Sequence, residues 1–203
     1  MIPSHKRCAD LAIRRLAPTR VRVPVAAMEP IVKVGEQVRA ATLIARSSQA
    51  SRWQLRRHSP LDGMVTGLET KDGNHEIVIE GEVPRRAHLE HPDLAALAPA
   101  DIVALARDAG LVGMGGAMFP TYVKLSPETP LECVIINACE SEPYICCDHR
   151  VLVEQRNEVE YGLDLAQRAG GARRGEIATT GRGYPFGYER FVVKDVLGRE
   201  VPA

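Results

Sequence analysis

The chain has 203 residues, 45% of them hydrophobic, which is enough to build a packed core in one large or two small domains. Its 26 basic and 26 acidic residues cancel, so no whole-chain field favours nucleic acid or an anionic membrane, and nucleic acid is not an expected partner. No apolar run reaches the roughly 18 to 20 residues that span a bilayer, and residues 1–20 alternate basic and apolar positions without a signal-peptide core, which predicts a cytoplasmic protein.

Residues 1–20 read as an N-terminal extension. From 21 to 83, short apolar runs at 21–25, 31–34, 42–45, 64–68 and 77–80 are separated by turn residues, the pattern of a small all-β domain. Turns are predicted at 59–63 and at Lys71-Asp72-Gly73-Asn74, where Gly73 and Asn74 tolerate positive φ. Gly35, Val38 and Ile44, followed by Gly63, Met64 and Val65, resemble the two half-motifs of a biotinyl/lipoyl-type barrel-sandwich hybrid. Ala41 stands where that pattern usually has glycine. A carrier of that type presents a lysine on the hairpin between its halves, flanked by methionine or a small residue. No such tripeptide occurs, so a docking or packing role is expected of this domain.

Residues 84–98 form a linker by composition, rich in proline and charge. Pro99 suits the first turn of a helix, Asp101 suits its positive end, and Ile102, Leu105, Ala106 and Ala109 recur at helical spacing until Gly110. A glycine run follows, Gly113-Met114-Gly115-Gly116-Ala117-Met118-Phe119-Pro120-Thr121. A short helix is predicted at 122–125, a buried strand at 131–137, then the acidic segment Glu140-Ser141-Glu142-Pro143. A long helix over 148–169 carries Leu152, Val159, Leu163 and Ala166 on one stripe and stops at Gly170-Gly171. The last clear strand is 176–179. Alternating helix and strand predict an α/β layer with a parallel sheet. With two clear strands it is incomplete, since open sheets usually have about four to six. The fold expected is α+β overall: the barrel-sandwich hybrid, then an incomplete Rossmann-like α/β domain over 99–203.

The chemistry concentrates in the glycine run. Residues without a β-carbon let backbone N–H groups approach a phosphate, and Lys124 can neutralise its charge. Carboxylates after the next strand can accept sugar hydroxyls. Phe119 and Pro120 read as loop and core elements, because proline has no N–H to donate. Cys8, Cys133, Cys139, Cys146 and Cys147 are odd in number and irregular in spacing, which argues for a reducing compartment. With no Cys-x-x-Cys pair to anchor a metal or redox cluster, Cys139, Cys146 and Cys147 read as buried or semi-buried free thiols.

Together the barrel half-motifs, the run 110–125, Ile135-Ile136-Asn137-Ala138-Cys139-Glu140-Ser141-Glu142-Pro143-Tyr144-Ile145, Asp148, Arg150, Tyr184-Pro185 and Leu197-Gly198-Arg199-Glu200-Val201-Pro202 resemble the C-subunit of the Rnf electron transport complex. The loop and the Glu-Ser-Glu-Pro segment also resemble the flavin-binding subunit of respiratory complex I. The resemblance implies FMN and NAD(H) as cofactors and the other subunits of a membrane complex as partners, with ferredoxin an indirect one. It also implies a peripheral place on the inner face of the cell membrane. Gly113, Gly115, Gly116 and Ala117 would form the FMN loop, with Lys124 reaching the phosphate or ribityl chain and Asn137 facing the flavin. Glu140, Ser141 and Glu142 would receive the nucleotide. None acts as a proton donor, so no catalytic residue is assigned; these groups bind and orient, and hydride transfer to flavin N5 is the cofactor's own chemistry.

Departures from the pattern set further expectations. Met118 is bulky beside the loop and crowds the ring unless it rotates away. Cys139 replaces an acid of the complex I version, and His149 stands where relatives usually have an acid. Relatives carry a further helix and strand before the Tyr-Pro motif and, past Val201-Pro202, a Cys-x-x-Cys-x-x-Cys ferredoxin region. The chain is therefore expected to be a shortened form that lacks iron–sulfur ligands and whose stable FMN binding in isolation is weak or absent. The alternative role is a non-catalytic assembly or docking component of the same complex.

Overall fold

A computed structural model of the chain describes residues 11–25, 28–71, 74–84, 96–113, 118–139, 145–179 and 192–194. The chain divides into two compact units, residues 16–124 and residues 1–15 with 125–203.

The first unit begins with seven strands: β1 (Arg20–Pro24), β2 (Glu29–Pro30), β3 (Gln37–Val38), β4 (Leu43–Arg46), β5 (Arg56–His58), β6 (Asp62–Lys71) and β7 (Asn74–Glu82). They form two antiparallel sheets, ordered β1-β7-β6-β3 and β2-β4-β5. Both sheets feed one core that includes Val25, Val38, Ile44, Ala45, Leu61, Val65, Ile77 and Ile79. Alternation along β7 aims Ile77 and Ile79 into this core, and burial of such branched chains is worth about 1.5–3 kcal/mol each. Lys71 pairs with Asn74; Asp72 and Gly73, where the turn is predicted, lie outside the described residues.

The strand expected at 31–34 is absent. The Glu36 carboxylate accepts the Lys33 N–H at 2.9 Å, the Glu36 N–H donates to the Lys33 carbonyl, and Gly35 takes φ +88°. A turn thus consumes the backbone groups that a strand would need. Strand β2 lies just before it, and β3 and β5 are additional: both are short, and the Arg-Arg-His of β5 carries no apolar alternation. Ala41 adopts φ +68°, the left-handed conformation for which glycine is the ordinary choice, held by its N–H donating to the Ser59 carbonyl at 2.8 Å.

Two helices complete this unit, α1 (Pro99–Asp108) and α2 (Thr121–Lys124). Pro99 opens α1 as expected, and the Asp101 carboxylate accepts the Ala98 N–H at 3.1 Å. Ile102 and Ala106 are its buried residues.

In the second unit, β8 (Cys133–Ala138), α3 (Cys147–Glu154), α4 (Arg156–Ala169), β9 (Arg174–Thr179) and β10 (Val192–Lys194) follow in chain order. The sheet is parallel and ordered β10-β9-β8, so a third parallel strand joins the two expected after residue 100. Val134, Ile136 and Ala138 alternate inward and meet Leu152, Val159, Leu163 and Ile177, while Ile135 and Asn137 face the opposite, exposed side. The helix expected over 148–169 is instead two helices, because Gln155 leaves helical geometry at φ −128°, ψ 38°. A straight helix of that length would run roughly 33 Å, against roughly 20 Å for a six-residue strand. The break lets Leu152 of α3 and Leu163 of α4 both reach the same sheet. Residue 13 is tied to this unit by its N–H, which the Glu154 carboxylate accepts at 2.8 Å. Arg150 donates to the same carboxylate at 2.9 Å and holds it below the usual carboxylate range, with the Ile13 N–H adding to the effect.

The described chain is mixed α and β, with more sheet than helix. No helix among the described residues is long and apolar enough to cross a membrane.

Candidate functional site

The glycine run hangs from a closed pair of feet. Gly110 ends α1 at φ +67°, the Thr121 N–H donates to the Leu111 carbonyl at 2.9 Å, and the Gly113 N–H donates to the Phe119 carbonyl at 2.8 Å. An antiparallel bridge between Val112 and Pro120 lies between these two bonds. Residues 111–113 and 119–121 are thus paired with each other. Gly115, Gly116 and Ala117, three of the predicted loop residues, lie outside the described residues.

Of the predicted site residues, the structure brings Gly113 and Lys124 together. A β-carbon built on Gly113 would stand 3.8 Å from the Lys124 Nζ and 3.7 Å from the Phe119 carbonyl oxygen. A β-carbon there would make ordinary van der Waals contact, so the bare glycine leaves no side chain against the ammonium. Because the Gly113 N–H is already given to Phe119, what this glycine offers a ligand is room. Lys124 closes the single turn of α2, and its Nζ lies 5.7 Å from the centre of the Phe119 ring. No carboxylate among the described residues pairs with it. An ammonium next to backbone without a β-carbon, and without a neutralising acid, fits the phosphate end of FMN. Met118 stands at φ +48° with its side chain exposed, and Pro120 is buried in the role expected of it.

Four residues that sequence reasoning passed over, Trp53, Gln54, Arg56 and His58, hold these feet. The Trp53 and Phe119 rings meet edge to face, centroids 5.2 Å apart at 65°. The Gln54 N–H donates to the Tyr122 hydroxyl oxygen at 3.0 Å. On the other foot, Arg56 pairs with the Asp108 carboxylate at 3.0 Å. Burial pushes His58 below the ordinary imidazole value and the Arg56 charge pushes the same way, against a hydrogen bond to the Asp108 backbone. The chain's single tryptophan was the available signal, but nothing in its sequence neighbourhood says that it faces residue 119.

Asn137 belongs to the second unit. It lies next to the carboxyl end of β8, exposed, with its Oδ1 accepting the Cys139 N–H at 3.0 Å, so its amide N–H groups remain to donate. The carboxyl edge of a parallel sheet is where open α/β sheets bind ligands. Glu140, Ser141 and Glu142 follow that edge directly and lie outside the described residues, as does Tyr144. Cys133, Cys139 and Cys147 are in the thiol form, and Cys147 is exposed. Cys146 is disulfide-bonded, which corrects its reading as a thiol.

Residues 106–182, which contain the glycine loop, Lys124, Asn137 and the acidic segment, match the family described as the Nuo51 FMN-binding domain. Over that segment the chain is similar to the flavin-binding family of complex I. Over most of its length it is similar to curated components of larger assemblies. The C-subunit of the ion-translocating oxidoreductase complex of Rhodobacter capsulatus is 30% identical over 92% of this chain and 44% of its own. The C-subunit of the Na(+)-translocating ferredoxin:NAD(+) oxidoreductase complex of Acetobacterium woodii is 28% identical over 86% of this chain and 47% of its own. The proton-translocating counterpart from Clostridium ljungdahlii is 26% identical over 92% and 49%. This chain is a relative of the Rnf-type C-subunits, and it spans about half the length of those it matches.

Proposed function

We propose that this chain binds FMN and NAD(H) as a C-subunit-like component of a membrane-associated, ion-translocating electron transport complex, in hydride and electron transfer between NADH and ferredoxin. The observation that carries the flavin part is the Lys124 ammonium beside the side-chain-free backbone of Gly113, within the segment that matches an FMN-binding domain. Lys124 binds the phosphate or ribityl chain, Gly113, Gly115, Gly116 and Ala117 make room for it, and Asn137 contributes a polar group to the flavin. Glu140, Ser141 and Glu142 accept hydrogen bonds from the nicotinamide nucleotide. Bound FMN would supply the hydride-accepting centre; the chain's residues bind, orient and balance charge.

On this reading the other subunits of the complex are its partners, and the inner face of the cell membrane is its place. The two parts of the chain, 21–83 as a barrel-sandwich hybrid and 99–203 as a Rossmann-like flavin domain joined by a linker at 84–98, serve docking and cofactor binding respectively.

Titration with FMN, followed by quenching of flavin fluorescence, tests the core of the reading. Saturable binding is expected, weak in the isolated chain. Loss of one charge-assisted phosphate contact in Lys124→Gln should weaken it at least about tenfold. Absence of saturable quenching up to millimolar FMN in the unaltered chain would sink it.

A further inference from the structure

The segment between β4 and β5 is built as a braced arm. The buried Ser47 hydroxyl donates to the Trp53 carbonyl at 2.8 Å and accepts the Leu55 N–H at 2.9 Å, while the Ser47 N–H donates to the Leu55 carbonyl at 3.0 Å. Ser48 and Ser51 join their hydroxyls at 3.1 Å, and the Gln54 side chain donates to the Ser51 carbonyl at 3.2 Å. Leu55 packs on the core of the two sheets. The arm is thus fixed to the most buried part of its unit, through a hydroxyl that both donates and accepts.

What the arm presents outward goes to the glycine loop. Trp53 meets Phe119 and Gln54 binds Tyr122, both just after the loop; Arg56 and His58 take the side chain and backbone of Asp108, just before it. Gly110 approaches the Arg56 backbone so closely that a β-carbon would stand 2.5 Å from its carbonyl oxygen. One six-residue stretch therefore holds both feet of a loop that is remote from it in sequence.

We propose that Trp53, Gln54 and Tyr122 are positioning residues for the FMN loop, which makes the two-sheet core its foundation and gives that core a role beyond docking. The ligand named rests on the flavin reading, but the geometry does not. Trp53 acts through Phe119, and Gln54 through Tyr122, whose ring follows the loop on the first turn of α2.

Hydrogen exchange of the full chain without ligand tests the positioning directly. In Trp53→Ala, and in Tyr122→Phe, which removes a single oxygen, the amides of residues 111–113 and 118–124 should exchange about tenfold faster, the size expected from losing an aromatic pair or a hydrogen bond. Protection of β6 and β7 should stay unchanged, and Trp53→Phe should restore the loop. With FMN added, the same two variants should raise the dissociation constant by a similar factor and Trp53→Phe should recover it. Unchanged loop exchange in both variants overturns the proposal, and so does a loss of protection in β6 and β7 equal to that in the loop. If the unaltered chain fails to bind FMN while the exchange result holds, the flavin reading falls and the positioning role stands.

Discussion

Gly110 and Arg56 approach backbone to backbone, with room for no β-carbon between the glycine Cα and the arginine carbonyl: one built there would lie 2.5 Å from the oxygen. The same glycine takes φ +67° as α1 ends. Two independent constraints, a left-handed backbone and a steric one, therefore select glycine where α1 passes into the glycine run. In Gly110→Ala the left-handed penalty alone is about 1–2 kcal/mol, and displacement of β5 adds to it. Urea denaturation of the variant should show a loss of at least about 2 kcal/mol; a loss under about 0.5 kcal/mol, the range of neutral surface changes, would contradict the geometry.

Ala41 offers the opposite experiment. It holds φ +68° in the turn before β4, where its N–H is bonded to Ser59 and the Ala40 N–H to the Asp62 carboxylate at 2.7 Å. Relief of the left-handed strain in Ala41→Gly should outweigh the added freedom of the unfolded chain and stabilise the protein by about 0.5–1 kcal/mol. A lowered denaturation midpoint would refute this.

His58 ties stability to pH. Its folded-state pKa lies below the ordinary imidazole value, mainly because the half-buried ring loses solvation and secondarily because Arg56 lies nearby. Protonation is thus harder in the folded than in the unfolded chain. The stabilisation from a neutral ring is complete above about pH 6.5 and is lost progressively as the pH falls from there towards the folded-state pKa. Comparing melting temperatures of the unaltered chain and His58→Gln across pH 5 to 8 should show a slope below about pH 6.5 that the variant lacks. Parallel curves for the two proteins would remove His58 from the account.

Leu163 is fully buried under the parallel sheet, against Leu152, Ala138 and Ile177. Leu163→Ala should cost about 2–5 kcal/mol, the spread depending on how far the site collapses. Near-ultraviolet circular dichroism and denaturant unfolding would measure it, and a cost below about 1 kcal/mol would mean that α4 does not carry this core.

Much of the frame was readable from local signals. Pro99, Asp101 and Gly110 mark α1 because each acts on the backbone within a few residues of itself. The continuous apolar run near residue 135 marks β8, since a short run rich in β-branched residues needs only its neighbours to be read, although the structure buries one face of it and exposes the other. The motifs 110–125 and 135–145 carried the relation to the Rnf-type proteins through residue identity alone. The signals failed where no local pattern exists. The Arg-Arg-His of β5 has no alternation, and the turn at 33–36 replaced an apolar run because Glu36 captured the Lys33 N–H. Gln155 carries no helix breaker's chemistry, yet it bends the chain so that Leu152 and Leu163 share one sheet.

By itself, then, the sequence determined the kinds of element, the placing of a β-rich segment before an α/β one, and the relation to the Rnf-type C-subunits. The tertiary structure decided which groups hold the feet of the glycine run in place. Gln54 and Tyr122 stand 68 positions apart, and their hydrogen bond exists because two sheets pack on one core and bring an arm of the first segment to the feet of the loop. No property of either residue's neighbours encodes that meeting. It follows from burial, which is non-directional and collective, with the directional hydrogen bond selecting the final register.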